Sequence, residues 1–284
     1  MLLSALCFYW ATYIIRLGLD FEATGGIPYV FSRFLLGYIL LEIYALGKKR
    51  TPVNIFWLRQ RAVWNTIAVF FFFITVEISG VTIANLTNMT YPVFVAVLAP
   101  FYIGEKNGWL GITGILVAMF GSLMILIPSN SHNVEDIFIW KNAVGLLSGL
   151  TAAIAILALR KIRQSDSTLI ILLYTFRIGT LFSLPFALYS LISNSSAYAR
   201  LEVQLVLWLS ALIGFAGQVL LTFGFKYVTA IQGSILSSSR IVMALVFGML
   251  LLSNEVGVYS ALGAVAIFIA NILVTLDKKN KSAG

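Results

Sequence analysis

Ten apolar runs, each near the roughly 20 residues a helix needs to cross a bilayer, follow one another with little between them. They fall at 2–19, 28–46, 62–80, 82–103, 109–128, 142–160, 168–191, 205–224, 227–252 and 257–276. The chain is 60% hydrophobic and only 11% charged, and a soluble domain so composed could not cover its own surface. The expected fold is an all-α polytopic membrane protein with ten transmembrane helices. No connection is long enough to hold a separate soluble domain. The opening "MLLSALCFYWATYIIR" lacks a basic leader and a small-residue cleavage site, so it reads as a true first span.

A single cysteine, Cys7, and a single histidine, His132, remove several kinds of chemistry together. No disulfide framework, His/Cys metal site or Cys–His nucleophile pair can be assembled, and no cofactor is called for. His132 reads as a loop residue and Cys7 as a small packing residue. No GxxxxGK[ST] phosphate loop appears, which disfavours an ATP-driven pump.

The net charge of +8 invites nucleic acid as a partner, but the distribution of the charges points elsewhere. With the amino terminus inside, the inner connections carry Lys48, Lys49, Arg50, Arg59, Arg61, Arg160, Lys161, Arg163 and Lys226, and the tail adds Lys278, Lys279 and Lys281. The outer ones carry Asp20, Glu22, Glu135, Asp136, Glu202 and Glu255. This is the positive-inside pattern, and it predicts cytoplasmic termini at an inner (plasma) membrane. The expected partners are a small-molecule substrate and membrane lipid, not nucleic acid, with a homodimer left open.

The two halves of the chain resemble each other. At an offset of 144, Leu2, Leu3, Ser4, Leu6, Ala11 and Arg16 recur as Leu146, Leu147, Ser148, Leu150, Ala155 and Arg160, and Arg33 recurs as Arg177. At an offset of 150, Glu105 recurs as Glu255. This predicts a first repeat over 1–128, a second over 142–276 and a basic tail over 277–284. Five spans per half is an odd number, so the second copy is inverted in the membrane. Inverted repeats place a substrate site near the midplane, where the halves meet.

The block "ANLTNMTYPVFVAVLAPFYIGEKNGWLGITGILVAMFGSLMI" (84–125) resembles the drug/metabolite transporter superfamily in its EamA-type branch. The resemblance rests on Pro92, the pair Gly104–Glu105, the glycines Gly111, Gly114 and Gly121, and "SRF" at 32–34. The second copy departs from it, with Ser253–Asn254 before Glu255 and Val242 in place of the proline. The resemblance implies a ten-helix carrier of small organic metabolites, often acting outward, with a cavity bounded by helices 1, 3, 4, 6, 8 and 9.

Candidate substrate contacts follow from residue types at helical spacing. Asn85, Asn88 and Pro92 share one face of the fourth span, beside Tyr91. Two amides there serve either as interhelical glue or as ligands. On the ninth span, Gly233, Ser237, Arg240 and Ala244 form a stripe of small residues around one cation. Arg240 lies about 18 Å along that span, near mid-membrane. A charge there costs about 3 kcal/mol or more and faces a cavity or a partner. Glu77 is both the obvious internal partner and the candidate proton-coupling carboxylate.

Tyr13 on the first span, Phe73 on the third and Gln218 on the eighth complete the expected lining, while Tyr9 and Trp10 read as interfacial aromatics. Arg33 and Arg177 read as a symmetric structural pair within reach of the headgroups. The function expected is a secondary transporter of a small organic metabolite, such as an amino acid or organic anion, by alternating access. The alternatives are a carrier of cationic or aromatic drug-like compounds and, less favoured, a membrane-embedded enzyme, since too few titratable groups converge.

Overall fold

In hydrocarbon every backbone N–H and C=O must find its partner within the protein, so the apolar runs become helices. The computed structural model describes residues 1–18, 27–48, 51–105, 108–126, 143–193, 198–252 and 258–282. It is helical in each of these segments. In chain order the helices are α1 (Leu2–Gly18), α2 (Ile27–Tyr44), α3 (Ile55–Asn88), α4 (Tyr91–Tyr102) and α5 (Trp109–Leu126). The second half gives α6 (Ala143–Ile162), α7 (Thr168–Ser193), α8 (Leu201–Gly224), α9 (Ala230–Leu252) and α10 (Val258–Ser282). His132 and Glu255 lie outside the described residues.

Helix α3 starts seven residues before the expected third span, because Asn54 caps it: the Trp57 N–H donates to Asn54 Oδ1 at 3.3 Å. The N–H groups of Val53 and Asn54 donate to the Asp166 carboxylate at 2.9 and 3.2 Å, which pins this start to the α6–α7 connection. Arg61, expected in an inner connection, is therefore two turns inside α3 and only 2% exposed.

Although α3 is helical throughout, it doubles back on itself. Gly145 of α6 faces both Thr75 and Thr87, and the Ser148 hydroxyl bridges the Ala68 carbonyl and the Asn88 amide. In one straight helix those partners would stand about 18 and 30 Å apart. The expected third and fourth spans are thus both present, joined by a tight reversal. The second of them is not continuous. Pro92 stands at the start of α4 and cannot donate a backbone hydrogen bond, so the helix breaks at Met89–Thr90. There the Thr90 hydroxyl donates to the Thr87 carbonyl at 2.6 Å. A Cβ on Gly149 would lie 3.0 Å from that same carbonyl, so only glycine lets α6 pass so close.

Helix pairing respects the two halves. α2 packs on α7, α4 on α9 and α5 on α10, while α1 meets α8 and α9 as α6 meets α3 and α4. Equivalent details recur. Phe34 of α2 fills the space over Gly179, and Phe176 of α7 fills the space over Gly37. The Ser4 hydroxyl donates to the Gly217 carbonyl of α8 at 2.7 Å, and its counterpart Ser148 donates to the Ala68 carbonyl of α3 at 2.9 Å. The fold is the ten-helix, two-fold arrangement expected from the duplicated sequence. Five elements, Ile27–Tyr44, Ile55–Ser79, Ala143–Ile162, Thr168–Ser193 and Leu201–Gly224, are each long and apolar enough to cross a membrane.

Met1, the start of α3, residues 163–166 and residues 224–227 gather at one end of the bundle, hereafter the basic end. A clasp closes it. Glu105, just past α4, accepts from Arg160 Nε at 2.6 Å and from the Ala230 N–H at 3.0 Å, while Arg160 Nη1 donates to the Phe225 carbonyl at 3.2 Å. One carboxylate thus ties α4, α6 and the first turn of α9.

Candidate functional site

The centre of the bundle holds arginines that form no ion pair among the described residues. Arg240, on α9, donates through Nη2 to Asn88 Oδ1 at 3.0 Å and lies 3.5 Å from the Met89 sulfur. Asn88 is held in turn, its Nδ2 donating to Ser148 Oγ at 2.8 Å. The break before Pro92 sets this geometry, because it turns Asn88 and Met89 toward α9. Tyr91 is buried against α9, its hydroxyl donating to the Ser234 carbonyl at 2.9 Å, and it also meets Ser237 and the charge of Arg240. Ser237 itself donates to the Gly233 carbonyl at 2.9 Å.

A second cation stands beside the first. Arg33, on α2, extends inward rather than to the headgroups. Its Nη2 donates to Gln218 Oε1 at 3.4 Å, its guanidinium stands 5.1 Å from the Phe8 ring centroid, and it passes Gly214. Arg33 feels the charge of Arg240, and Arg61 feels that of Arg33. Counted along their helices, the Cα atoms of Arg240 and Arg33 lie about 15 and 17 Å from the basic end, near mid-bundle, with Arg61 about 9 Å from that end, and together they form an arginine layer. Arg33 and Arg240 are enclosed by protein yet keep part of their surface accessible, as side chains lining an internal space do. Arg177, the expected twin of Arg33, is exposed instead. The symmetric structural pair is not formed.

Among the described residues no carboxylate forms an ion pair with Arg33, Arg61 or Arg240. The ion pairs seen, Arg160–Glu105 and Arg200–Glu202, use other residues. Enclosed like charges repel, and far more strongly than they would in water. Unsatisfied donors add to the imbalance: Arg240 Nε, Arg61 Nε and Nη2, and Gln218 Nε2 are buried without an acceptor. A buried donor left unpaired costs about 1–3 kcal/mol. The layer has surplus positive charge and surplus N–H groups, which is chemistry for binding an anion.

The structure therefore brings together Arg240, Asn88, Tyr91 and Ser237, with Gln218 joined to them through Arg33. Phe73 is elsewhere, packed in a second core where it stacks on Tyr29 at 6.4 Å. Glu77 is exposed and close to Tyr198, beyond α7, not to Arg240. Tyr13 stacks on Tyr9 at 5.8 Å and meets Trp10 edge-on at 5.4 Å. Phe247, two turns beyond Arg240 on α9, joins them 5.5 Å from Tyr9. These rings line the α1–α9 contact rather than forming an interfacial belt. The side chains of Asn85 and Ala244 lie outside the described residues.

Arg33, Arg61 and Ser148 were missed as site residues. Asn54, a capping residue seven positions before Arg61, was the available signal for an earlier start of α3. No local signal distinguishes an inward arginine from a snorkelling one.

Comparison with known proteins gives a family match in two blocks: the profile of the EamA-like transporter family covers residues 1–127 and 139–276. A protein of Helicobacter pylori strain J99 described as an uncharacterized transporter is 26% identical over 290 residues, covering 97% of this chain and 93% of that one. The pseudopaline exporter CntI of Pseudomonas aeruginosa strain UCBPP-PA14 is 26% identical over 283 residues, covering 94% and 93%. A crystal structure matches with a TM-score of 0.72 at 15% identity, over 96% of this chain and 98% of its own, which is a likeness of fold.

Proposed function

The chain belongs to the EamA-like transporter family, and from that premise we propose that it is a secondary carrier exporting a small organic metabolite with an anionic group. The two repeats, 1–128 and 142–276, would rock about the arginine layer to expose it to each side in turn. The basic end faces the cytoplasm of a bacterial cell, both termini included, in keeping with the positive-inside distribution of its lysines and arginines.

The observation that carries the reading is Arg240. It is enclosed at mid-bundle, bonded to a neutral amide and free of any carboxylate among the described residues. A membrane protein tolerates such a charge where a substrate completes it. Amino acids and organic acids suit a site that adds the Asn88 amide, the Tyr91 phenol and the Ser237 hydroxyl to that cation. Export is the direction stated in the name of the Pseudomonas relative, and it is the direction proposed here.

A second reading, transport of aromatic drug-like compounds, draws on the rings of Tyr9, Trp10, Tyr13 and Phe247. Cationic members of that class fit poorly, since the charges they would meet are positive. A thermal-shift screen of the purified protein against a metabolite library separates the readings, because any ligand of the folded state raises the melting temperature. Organic anions should dominate the stabilising compounds. A screen won by organic cations would overturn the proposal.

A further inference from the structure

We infer that the substrate carries at least two anionic groups, one read by Arg240 and another by Arg33 and Arg61. This rests on the carrier reading above and narrows its substrate class. A single carboxylate facing Arg240 would leave two further enclosed guanidiniums without a counter-charge among the described residues. Arg61 makes the case most strongly: it is 2% exposed, and its Nε and Nη2 have no acceptor. Gln218 is 5% exposed and oriented by Arg33, and its Nε2 also lacks an acceptor.

The imbalance is one-sided. The unsatisfied groups on Arg240, Arg61 and Gln218 are all donors, so the complementary ligand is rich in acceptors and in negative charge. The positions are separated as well. Arg240 stands on α9 against the end of α3, Arg33 stands between α1 and α8, and Arg61 lies nearest the basic end of α3. A compact monoanion cannot reach all three. A molecule with two or three carboxylates, or with a carboxylate and a phosphate, can.

The test uses wild-type protein in detergent at constant ionic strength, titrated calorimetrically with acetate, succinate, citrate and glycerol 3-phosphate. Affinity should rise about tenfold or more from acetate to succinate, and again to citrate or glycerol 3-phosphate. Whichever of the last two binds more tightly identifies a carboxylate or a phosphate as the further anionic group. Arg61→Gln and Arg33→Gln should weaken succinate far more than acetate, and Arg61→Lys should restore part of the difference. If a variant fails to fold, the wild-type series still decides. Equal affinities across the series would overturn the inference while leaving a carrier of monoanions standing. Failure of every anion to bind, with organic cations stabilising the protein, would overturn the carrier reading as well.

Discussion

Replacing Glu105 by Gln tests whether the clasp at the basic end holds the bundle in the form seen. The carboxylate accepts from Arg160 Nε at 2.6 Å and from the Ala230 N–H at 3.0 Å. Glutamine keeps the shape and one acceptor oxygen, so one bond survives as a neutral contact and the other is lost. Charge-assisted bonds are worth about 1.5–3 kcal/mol and neutral ones about 1. The two side chains are 19% and 20% exposed, so water recovers part of the difference. A net loss of about 1.5–3 kcal/mol remains, or roughly a 10- to 150-fold change in a local opening equilibrium.

Hydrogen–deuterium exchange reads that equilibrium directly. Amides in the first turns of α9 should lose protection by that factor, while the α2–α7 contact around Phe34 and Phe176 should keep it. A change under about threefold at α9, or an equal loss in both places, would refute the reasoning.

Three further outcomes follow from the same contacts. Ser148→Ala removes the acceptor of the Asn88 amide and the donor to the Ala68 carbonyl, so the fold should lose about 1–3 kcal/mol in a reversible unfolding assay and anion affinity should drop with it. Gly145→Leu places a side chain against Thr75 and Thr87 where the α3 reversal meets α6, and should cost at least about 1–3 kcal/mol or abolish folded expression by size-exclusion chromatography. Glu77→Gln, at an exposed position beside Tyr198, should leave substrate affinity unchanged by calorimetry.

Much of the architecture was legible in the sequence because a bilayer allows few solutions. Ten apolar runs and the matched pairs Arg16/Arg160 and Glu105/Glu255 lead to a ten-helix, two-fold fold. Arg240 was legible for a similar reason, since an arginine amid "SILSSSRIVMALVFG" has little else to do. What hydropathy could not resolve was direction and register. Arg33 and Arg177 are equivalent in sequence, yet one turns into the bundle and the other out of it, a choice made by Phe8, Gly214 and Gln218 on other helices. Arg61 looks like a loop charge when the span is counted from its apolar core, and the Asn54 cap moves it inside. Phe73 lies in the right span but on a face packed toward α2.

The central claim is that Arg240 exists to meet an anionic group of the substrate. Its most direct test is a double-mutant cycle between protein and ligand. Once the screen yields a stabilising carboxylate, that compound and its carboxamide analogue are titrated into wild-type protein and Arg240→Gln. The account predicts a coupling energy of about 2 kcal/mol or more, near thirtyfold in affinity, as expected for an enclosed charge pair. Additive effects, with the carboxamide losing as much affinity to the variant as to the wild type, would contradict it.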